Sequence, residues 1–325
     1  MDEEVPDLTA KALWYAAAGR AEIRDEPLGA PPAGTVRVRA LHSAISRGTE
    51  RLVFSGGVPA SEYERMRAPF MAGAFPFPVK YGYAMVGRTE QGQTVFALHP
   101  HQTVFDVPAD AVTAVPDGVT ARRAILAANM ETALNAVWDA APGPADRIAV
   151  VGAGVVGALV AYLCGRLPGA QVTLIDVDAS RGELARALGV SFAAPDKAHG
   201  DCDVVFHASG SAAGLTTALD LAGDEATVLE MSWYGTKDVA APLGAAFHSR
   251  RLKLISSQVG KVAPSHRPRW SYARRLAAAL DLLKDPALDA LLAPSIAFAD
   301  LPSKLPDILS PQGGVLCQVV DYSNA

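Results

Sequence analysis

Apolar residues follow two rhythms along this chain. From Thr9 to about Val115, short alternating runs such as Thr35-Val36-Arg37-Val38-Arg39 and Thr103-Val104-Phe105-Asp106-Val107 are punctuated by Pro and Gly, the pattern of half-buried strands joined by turns. They predict an antiparallel, barrel-like β domain. From Ala121 to Ala141 the residues turn Ala-, Leu- and Asn-rich and predict helix, ended by Pro142-Gly143-Pro144. Beyond that point apolar runs alternate with helical ones. Strands are expected at Arg147 to Val151, Gln171 to Asp176, Asp203 to Phe206, Thr227 to Met231 and Leu252 to Ser256. Helices are expected up to Arg166, from Ser180 to Leu188 (closed by Gly189), near Ala212 to Leu221 and near Tyr272 to Leu283. Strands alternating with helices imply a parallel, doubly wound sheet, so the fold class is α/β with a separate β domain. The last segment, Leu291 to Tyr322, carries Pro294, Pro302, Pro306 and Pro311 and ends in the strand-like Val315 to Val320, which is expected to return to the first domain. The expected division is 1–125 with 290–325 for the β domain and 126–289 for the parallel-sheet domain.

Composition narrows the function classes. With 325 residues, 50% hydrophobic and 19% charged, the chain is too apolar for a disordered or coiled-coil protein and long enough for about two domains. A net charge of −5 supplies no electrostatic footprint for nucleic acid. Cys164, Cys202 and Cys317 are too widely spaced for a zinc ribbon or a disulfide framework, which fits a reducing cytoplasm. The acidic start, Met1-Asp2-Glu3-Glu4, lacks the basic-then-apolar order of a secretory signal. One stretch of 18 uncharged residues, Ile148 to Gly165, reaches the length of a membrane span. Gly152, Gly154 and Gly157 divide it into a buried strand, a tight turn and a buried helix, so no membrane partner is expected.

Gly152-Ala153-Gly154-Val155-Val156-Gly157 is a GxGxxG placed between a strand and a helix, and Asp176 follows 19 residues after Gly157 at the end of the next strand. That context predicts a Rossmann dinucleotide site. Gly152 permits the turn, Gly154 lets a pyrophosphate approach the backbone, Gly157 allows close packing of helix on strand, and the N–H groups at Val155 and Val156 open the helix toward the phosphates. Asp176 suits a ribose diol and would repel a 2′-phosphate, so NAD is expected over NADP. Arg181 is a complication, able to stack on adenine or pair with a phosphate. Ser209, just beyond the expected strand Asp203 to Phe206, is a further cofactor-binding candidate.

The chain resembles the medium-chain dehydrogenase/reductase superfamily over nearly its whole length. Arg47-Gly48-Thr49-Glu50 resembles that family's Cys-Gly-Thr-Asp, Gly82-Tyr83-Ala84-Met85-Val86-Gly87 its Gly-His-Glu-x-x-Gly, and Ala127 to Leu134 the segment with a third metal ligand and a Thr against the nicotinamide, here Thr132. The resemblance implies a GroES-like β-barrel catalytic domain before the Rossmann domain, and a homodimer. Arg47, Tyr83, Ala84 and Ala128 stand at the metal-site positions, and the four-cysteine structural lobe is missing between Leu98 and Thr103. No zinc is therefore expected. Within the superfamily, Ser43 to Leu52 is similar to the zinc-independent branch that includes the hydroxyethyl bacteriochlorophyllide dehydrogenases.

Without a metal, side chains must polarise the substrate oxygen. Tyr83 is the leading proton donor, with Arg47 expected beside it to lower its pKa or bind an oxyanion, and Thr49 as a relay hydroxyl. The family's onward histidine is Leu52 here, so His42, His99 and His101 are the available replacements, with His101 on the catalytic list. Glu131 is a candidate base, although a helix residue facing solvent is the blander reading. Lys261, His266, Arg267, Arg269, Arg274 and Arg275 form a basic run around Trp270 and Tyr272, expected as a solvated face or subunit contact rather than an anion site. The expected activity is hydride transfer between NAD and a secondary alcohol or ketone. Rival readings are a reductase of a conjugated C=C bond or quinone, and a non-catalytic dinucleotide-binding sensor.

Overall fold

Strand alternation in the first third of the chain builds two sheets. The computed structural model describes residues 8–310 and 314–325; Met1 to Glu4 and Pro311 lie outside the described residues. Strands β1 (Leu8–Ala17) and β2 (Arg20–Leu28) form an antiparallel hairpin, extended by Val79–Lys80 and Ala72–Gly73 into a four-stranded sheet. Strand β3 (Thr35–Ile45) centres the other. It pairs antiparallel with β4 (Met85–Thr89), with β6 (Val104–Pro108) and with the C-terminal strand Gln318–Asp321, and β5 (Thr94–Ala97) and β7 (Val112–Ala114) continue from β4. Inward residues of these strands, among them Val38, Met85, Phe96, Phe105 and Val319, are buried.

A turn of helix, Ala121–Ala124, is capped by the Thr120 side chain, which accepts from the Arg123 N–H. The longer α2 (Ala127–Ala140) follows, so the helix expected as one piece is broken at Ile125-Leu126; α1 is the short helix Arg47–Phe54 after β3. Next come β8 (Arg147–Val151), α3 (Val155–Cys164), β9 (Gln171–Ile175), α4 (Arg181–Leu188) and β10 (Ser191–Ala193). Then β11 (Cys202–His207), α5 (Ala212–Leu221), β12 (Ala222–Glu230), β13 (Lys253–Ser256) and α6 (Tyr272–Asp281) complete the alternation. The sheet is parallel throughout, in the order β10-β9-β8-β11-β12-β13. Strand order reverses between β8 and β11, which makes the crevice beyond their carboxyl ends the expected ligand position. Ala149, Val151, Val205, Leu215, Ala218 and Val228 pack one face of this sheet. The 18-residue uncharged stretch is thus β8, a turn and α3, and among the described residues no helix is long and apolar enough to cross a membrane.

The architecture is a GroES-like β unit joined to a Rossmann α/β unit. The first comprises residues up to Ala128 with Leu280–Asp285 and Leu292–Ala325, and the second Asn129–Ala279 with Pro286–Leu291. The chain therefore crosses between units more often than a single insertion requires. Within the Rossmann unit, Arg275 of α6 is 2% exposed and donates to Glu131 Oε1 (3.0 Å), Asn135 Oδ1 (2.6 Å) and the Val259 carbonyl (2.6 Å). This removes Arg275 from the expected solvated basic run and Glu131 from the expected bases, because burying a guanidinium requires its hydrogen bonds to be filled from inside. His266 and Trp138 stack at 4.0 Å, and Arg274 lies over Trp270, also at 4.0 Å. Glu131→Ala should destabilise the protein by about 3–5 kcal/mol, since it strands a buried cation. Urea denaturation checks this, and a shift of the size of an ordinary surface substitution would contradict it.

Candidate active site

In the β unit the chemistry gathers where β3 runs into α1. Glu50, on the first turn of α1, has no exposed surface. Its Oε1 accepts from the Ser46 N–H (2.7 Å), and its Oε2 accepts from the Tyr15 hydroxyl (2.6 Å) and from His101 Nε2 (3.1 Å). Because a carboxylate only accepts, Nε2 carries a proton; on the other side of the ring Nδ1 is hydrogen-bonded with Ser43 Oγ (2.8 Å), which is hydrogen-bonded in turn with the Tyr322 hydroxyl (2.9 Å). Gly82 makes room for this arrangement. Its φ is +123° and a Cβ there would lie 2.8 Å from the His101 ring.

Tyr83 and Thr49 are brought together as expected from the motifs. The half-buried Tyr83 phenol donates to Ser46 Oγ at 2.6 Å and is also hydrogen-bonded by Thr49. Burial pushes the phenol up to about 12, outweighing the opposite pull of Ser46 and Thr49, while Glu50 adds repulsion. Arg47 does not perform the role expected of it. Its guanidinium donates to the carbonyls of Ile308 (2.9 Å), Ser310 (2.8 Å) and Val315 (2.6 Å), tying the segment before the last strand to α1. With three nitrogens directed at three carbonyls, it acts as a clamp on the chain, and Tyr83 remains an un-ionised phenol near neutrality.

The histidines separate by environment. His101, with 0% exposure and both nitrogens engaged, is placed to hold Glu50 and not to meet a substrate. His99 stacks on Phe105 at 3.9 Å, and burial holds it down at about 3. His42 is half-buried and burial also lowers it; its Nδ1 has no hydrogen-bond partner among the described residues. Neither is a poised acid. Among the described residues no group of three or more His, Cys, Asp or Glu could hold a metal ion. Arg47, Tyr83 and Ala128 do not form a zinc ligand set, and Cys317 and Cys164 are buried thiols pushed up to about 12.

The Rossmann unit carries its own set of candidate residues. Gly152 adopts φ +108°, and a Cβ on it would stand 2.6 Å from the Ser209 nitrogen. A Cβ on Gly157 would run into the Gly152 carbonyl oxygen, whereas the position over Gly154 is open space. The turn thus closes tightly beneath and stays open above, the form that lets a pyrophosphate reach the N–H groups of Val155 and Val156 at the start of α3. Asp176 Oδ2 accepts from the Ala153 N–H (2.7 Å) and Oδ1 from the Asp178 N–H (2.9 Å), which fixes the carboxylate and leaves lone pairs for two ribose hydroxyls. These residues fit a dinucleotide. Arg181 Nε pairs with Asp178 Oδ2 at 3.2 Å, so its charge is partly answered within the protein. Thr132 sits half-buried on α2.

Sequence reasoning assigned no role to Ser46, Glu50, His207 or Glu230, although it named Ser209. His207, at the end of β11, is fully buried; its Nδ1 is 2.7 Å from Glu230 Oε2 and its Nε2 is 2.7 Å from Ser209 Oγ. Glu50 belonged to a quoted motif, and His207 and Glu230 lie at the carboxyl ends of two expected strands, where ligands of doubly wound sheets bind. Those positions were the available signal.

No protein-family model matches the chain. An uncharacterised zinc-type alcohol dehydrogenase-like protein of Haemophilus influenzae is 24% identical over 242 residues, which cover 69% of this chain and 66% of that protein, just under two thirds of its length. Acetophenone reductase from Geotrichum candidum, solved in complex with NAD, aligns over 98% of this chain and 99% of its own with TM-score 0.77 and 18% identity. For 2R,3R-butanediol dehydrogenase from Bacillus subtilis the cover is 97% and 100%, the TM-score 0.76 and the identity 16%. L-idonate 5-dehydrogenase from Escherichia coli K-12 gives 97% and 99%, 0.78 and 14%. The likeness to these solved structures shows that the fold is that of the medium-chain dehydrogenases.

His99 yields a stability test. Its neutral form is favoured in the folded state, so below the ordinary value of 6.5 the unfolded chain takes up a proton that the folded chain refuses. Stability should fall as pH drops from 7 to 5, by at most about 1.4 kcal/mol per pH unit from this group. Urea midpoints for the parent and His99→Leu measure it; the variant should lose less stability over that interval, and parallel curves would contradict the assignment.

Proposed function

We propose that this protein is an NAD-preferring, zinc-independent oxidoreductase of the medium-chain type, interconverting a secondary alcohol and a ketone. The observation that carries the reading is the hydroxyl cluster of Tyr83, Ser46 and Thr49, which stands where Arg47 and Tyr83 replace metal ligands, in a chain whose other unit bears a complete dinucleotide turn. The dinucleotide supplies hydride at nicotinamide C4. Gly152, Gly154, Gly157 and Asp176 would hold it, with Thr132 as the candidate against the nicotinamide ring.

Tyr83 then acts as the acid. A phenol held near 12 keeps its proton at neutral pH and can release it to the far more basic alkoxide formed as a ketone is reduced. Ser46 Oγ already receives that proton in a hydrogen bond, and Thr49 is also hydrogen-bonded to the phenol, so the donor is positioned before substrate arrives. His101 and Glu50 support the cluster from beneath: Glu50 fixes the Ser46 backbone, and His101 fixes Glu50. The raised value favours the reducing direction near neutrality, since phenolate is scarce there. The bacteriochlorophyllide-dehydrogenase-like branch and a homodimer, localised to the cytoplasm, remain part of this proposal on the strength of the Ser43 to Leu52 segment and the superfamily resemblance.

Tyr83→Phe should lower ketone turnover by about 10²- to 10³-fold while NADH affinity stays near the parent value. Stopped-flow turnover over a ketone panel with parallel NADH fluorescence titration is the check. Unchanged turnover in a folded variant would remove Tyr83 from the mechanism, and activity that depends on retained zinc would remove the metal-free reading.

NADH should bind more tightly than NADPH by roughly 1.5–3 kcal/mol, because a 2′-phosphate would meet the Asp176 carboxylate. Asp176→Ala should erase most of that gap. Equal affinities in the parent would show that Arg181 governs the pocket instead.

A further inference from the structure

The carboxyl ends of β11 and β12 hold a polar network with its own proton arithmetic. His207 Nδ1 faces Glu230 Oε2, and the other Glu230 oxygen accepts from the Ser232 N–H (2.7 Å). The Tyr234 hydroxyl also donates to Glu230 Oε2, at 3.0 Å. Burial would raise Glu230, but the hydrogen bonds from His207 and Ser232 outweigh it and hold the carboxyl below its ordinary range. Glu230 therefore accepts, and Nδ1 must carry a proton.

The consequence falls on Ser209. With His207 neutral, Nε2 is a bare acceptor and the Ser209 hydroxyl spends its only proton on it at 2.7 Å. Ser209 Oγ meanwhile accepts from the Ser211 hydroxyl (2.9 Å) and the Ser211 N–H (3.3 Å). Its capacity is filled inside the protein. If His207 gains a second proton, Nε2–H donates to Ser209 Oγ in place of the long Ser211 N–H contact, and one hydroxyl proton of the Ser209–Ser211 pair is released to point outward. Ser209 is exposed, its backbone abuts Gly152 at the phosphate turn, and it precedes α5, whose N-cap Ser211 accepts from the Gly214 N–H. Gly214 is essential to this stack, since a Cβ there would lie 2.8 Å from His207 Nε2.

We infer that His207, oriented by Glu230, is a positioning residue of the dinucleotide site, its protonation deciding whether the hydroxyl protons of the Ser209–Ser211 pair are all turned inward or one is offered to the ligand's diphosphate. The inference rests on the dinucleotide reading above. Binding a diphosphate and protonating His207 favour one another, because the second proton adds both a donor and a positive charge at the start of α5. The titratable groups facing the ring are Glu230 and Tyr234, from the end of β12 and the loop beyond it. On the other side β8 brings Val151 and Gly152, and α5 brings Gly214, none of which titrates. A ligand that raises a proton affinity binds more tightly as pH falls, so affinity should grow on acidification and level off once His207 is charged in the free protein.

Isothermal titration with ADP-ribose, whose diphosphate does not titrate in this range, tests it from pH 6 to 8.5 in buffers of different ionisation enthalpy. The parent should take up a fraction of a proton on binding and strengthen by roughly 3- to 10-fold from pH 8.5 to 6. His207→Asn, whose amide can still reach Glu230, should show no uptake and a flat profile. Should that variant fail to fold, Ser209→Ala, at an exposed position, should bind with at least half of the pH slope lost. Slopes equal to the parent's in either folded variant overturn the inference and leave the dinucleotide reading standing; failure of the parent to bind ADP-ribose or NADH at any pH overturns both.

Discussion

A carboxylate with no exposed surface must be satisfied entirely from within, and the β unit is arranged around that demand at Glu50. The Tyr15 hydroxyl comes from β1, the Ser46 N–H from the entry to α1, and His101 from the loop between β5 and β6. Through His101 and Ser43, Tyr322 at the chain's end joins the same network. Each partner lies far from the others in sequence, so the network is assembled only when the strands are in register. Loss of one partner leaves a charge or a dipole stranded in an apolar interior, which makes the arrangement all-or-none.

That network also fixes the hydroxyl cluster beside it. Ser46 serves two neighbours at once: its backbone N–H is bound by Glu50, and its hydroxyl receives the Tyr83 proton. The phenol is therefore held through a turn that the buried carboxylate fixes. Arg47, next to Ser46 in sequence, fastens the segment at Ile308, Ser310 and Val315. A guanidinium is well suited to this, because it offers five donors in one plane and accepts nothing.

In the Rossmann unit the governing constraint is steric. The close approach of Gly157 to the Gly152 carbonyl, and of Gly152 to Ser209, brings β8, α3 and β11 together at one point. Placing polar side chains beside that point follows from the sheet itself, since parallel strands end in register and present their final residues side by side: Val151, His207 and Glu230 are register partners across three strands. Hydrophobic residues fill the sheet's interior, so hydrogen-bonding groups collect at its carboxyl edge.

Local pattern was enough to determine the two architectures. Period-two runs broken by Pro and Gly specified the β unit, and β8, β11 and α5 lie where apolar runs and breakers put them, because strand and helix periodicity are properties of neighbouring residues; β12 starts earlier than its expected Thr227, at Ala222. The three-residue strand β10 carried too little pattern to notice. The glycine turn and Asp176 were legible for the same reason: the motif's steric and hydrogen-bonding roles are realised within one βαβ unit. What no local pattern could specify was the destination of each polar side chain. Arg47 and Tyr83 stand in neighbouring motifs yet part company, His101 is sealed behind Gly82, and Glu131 finds Arg275 across 144 residues. Charge and hydrogen-bonding capacity belong to a residue, but whether they face a substrate or another buried group is decided by the strands that pack over them.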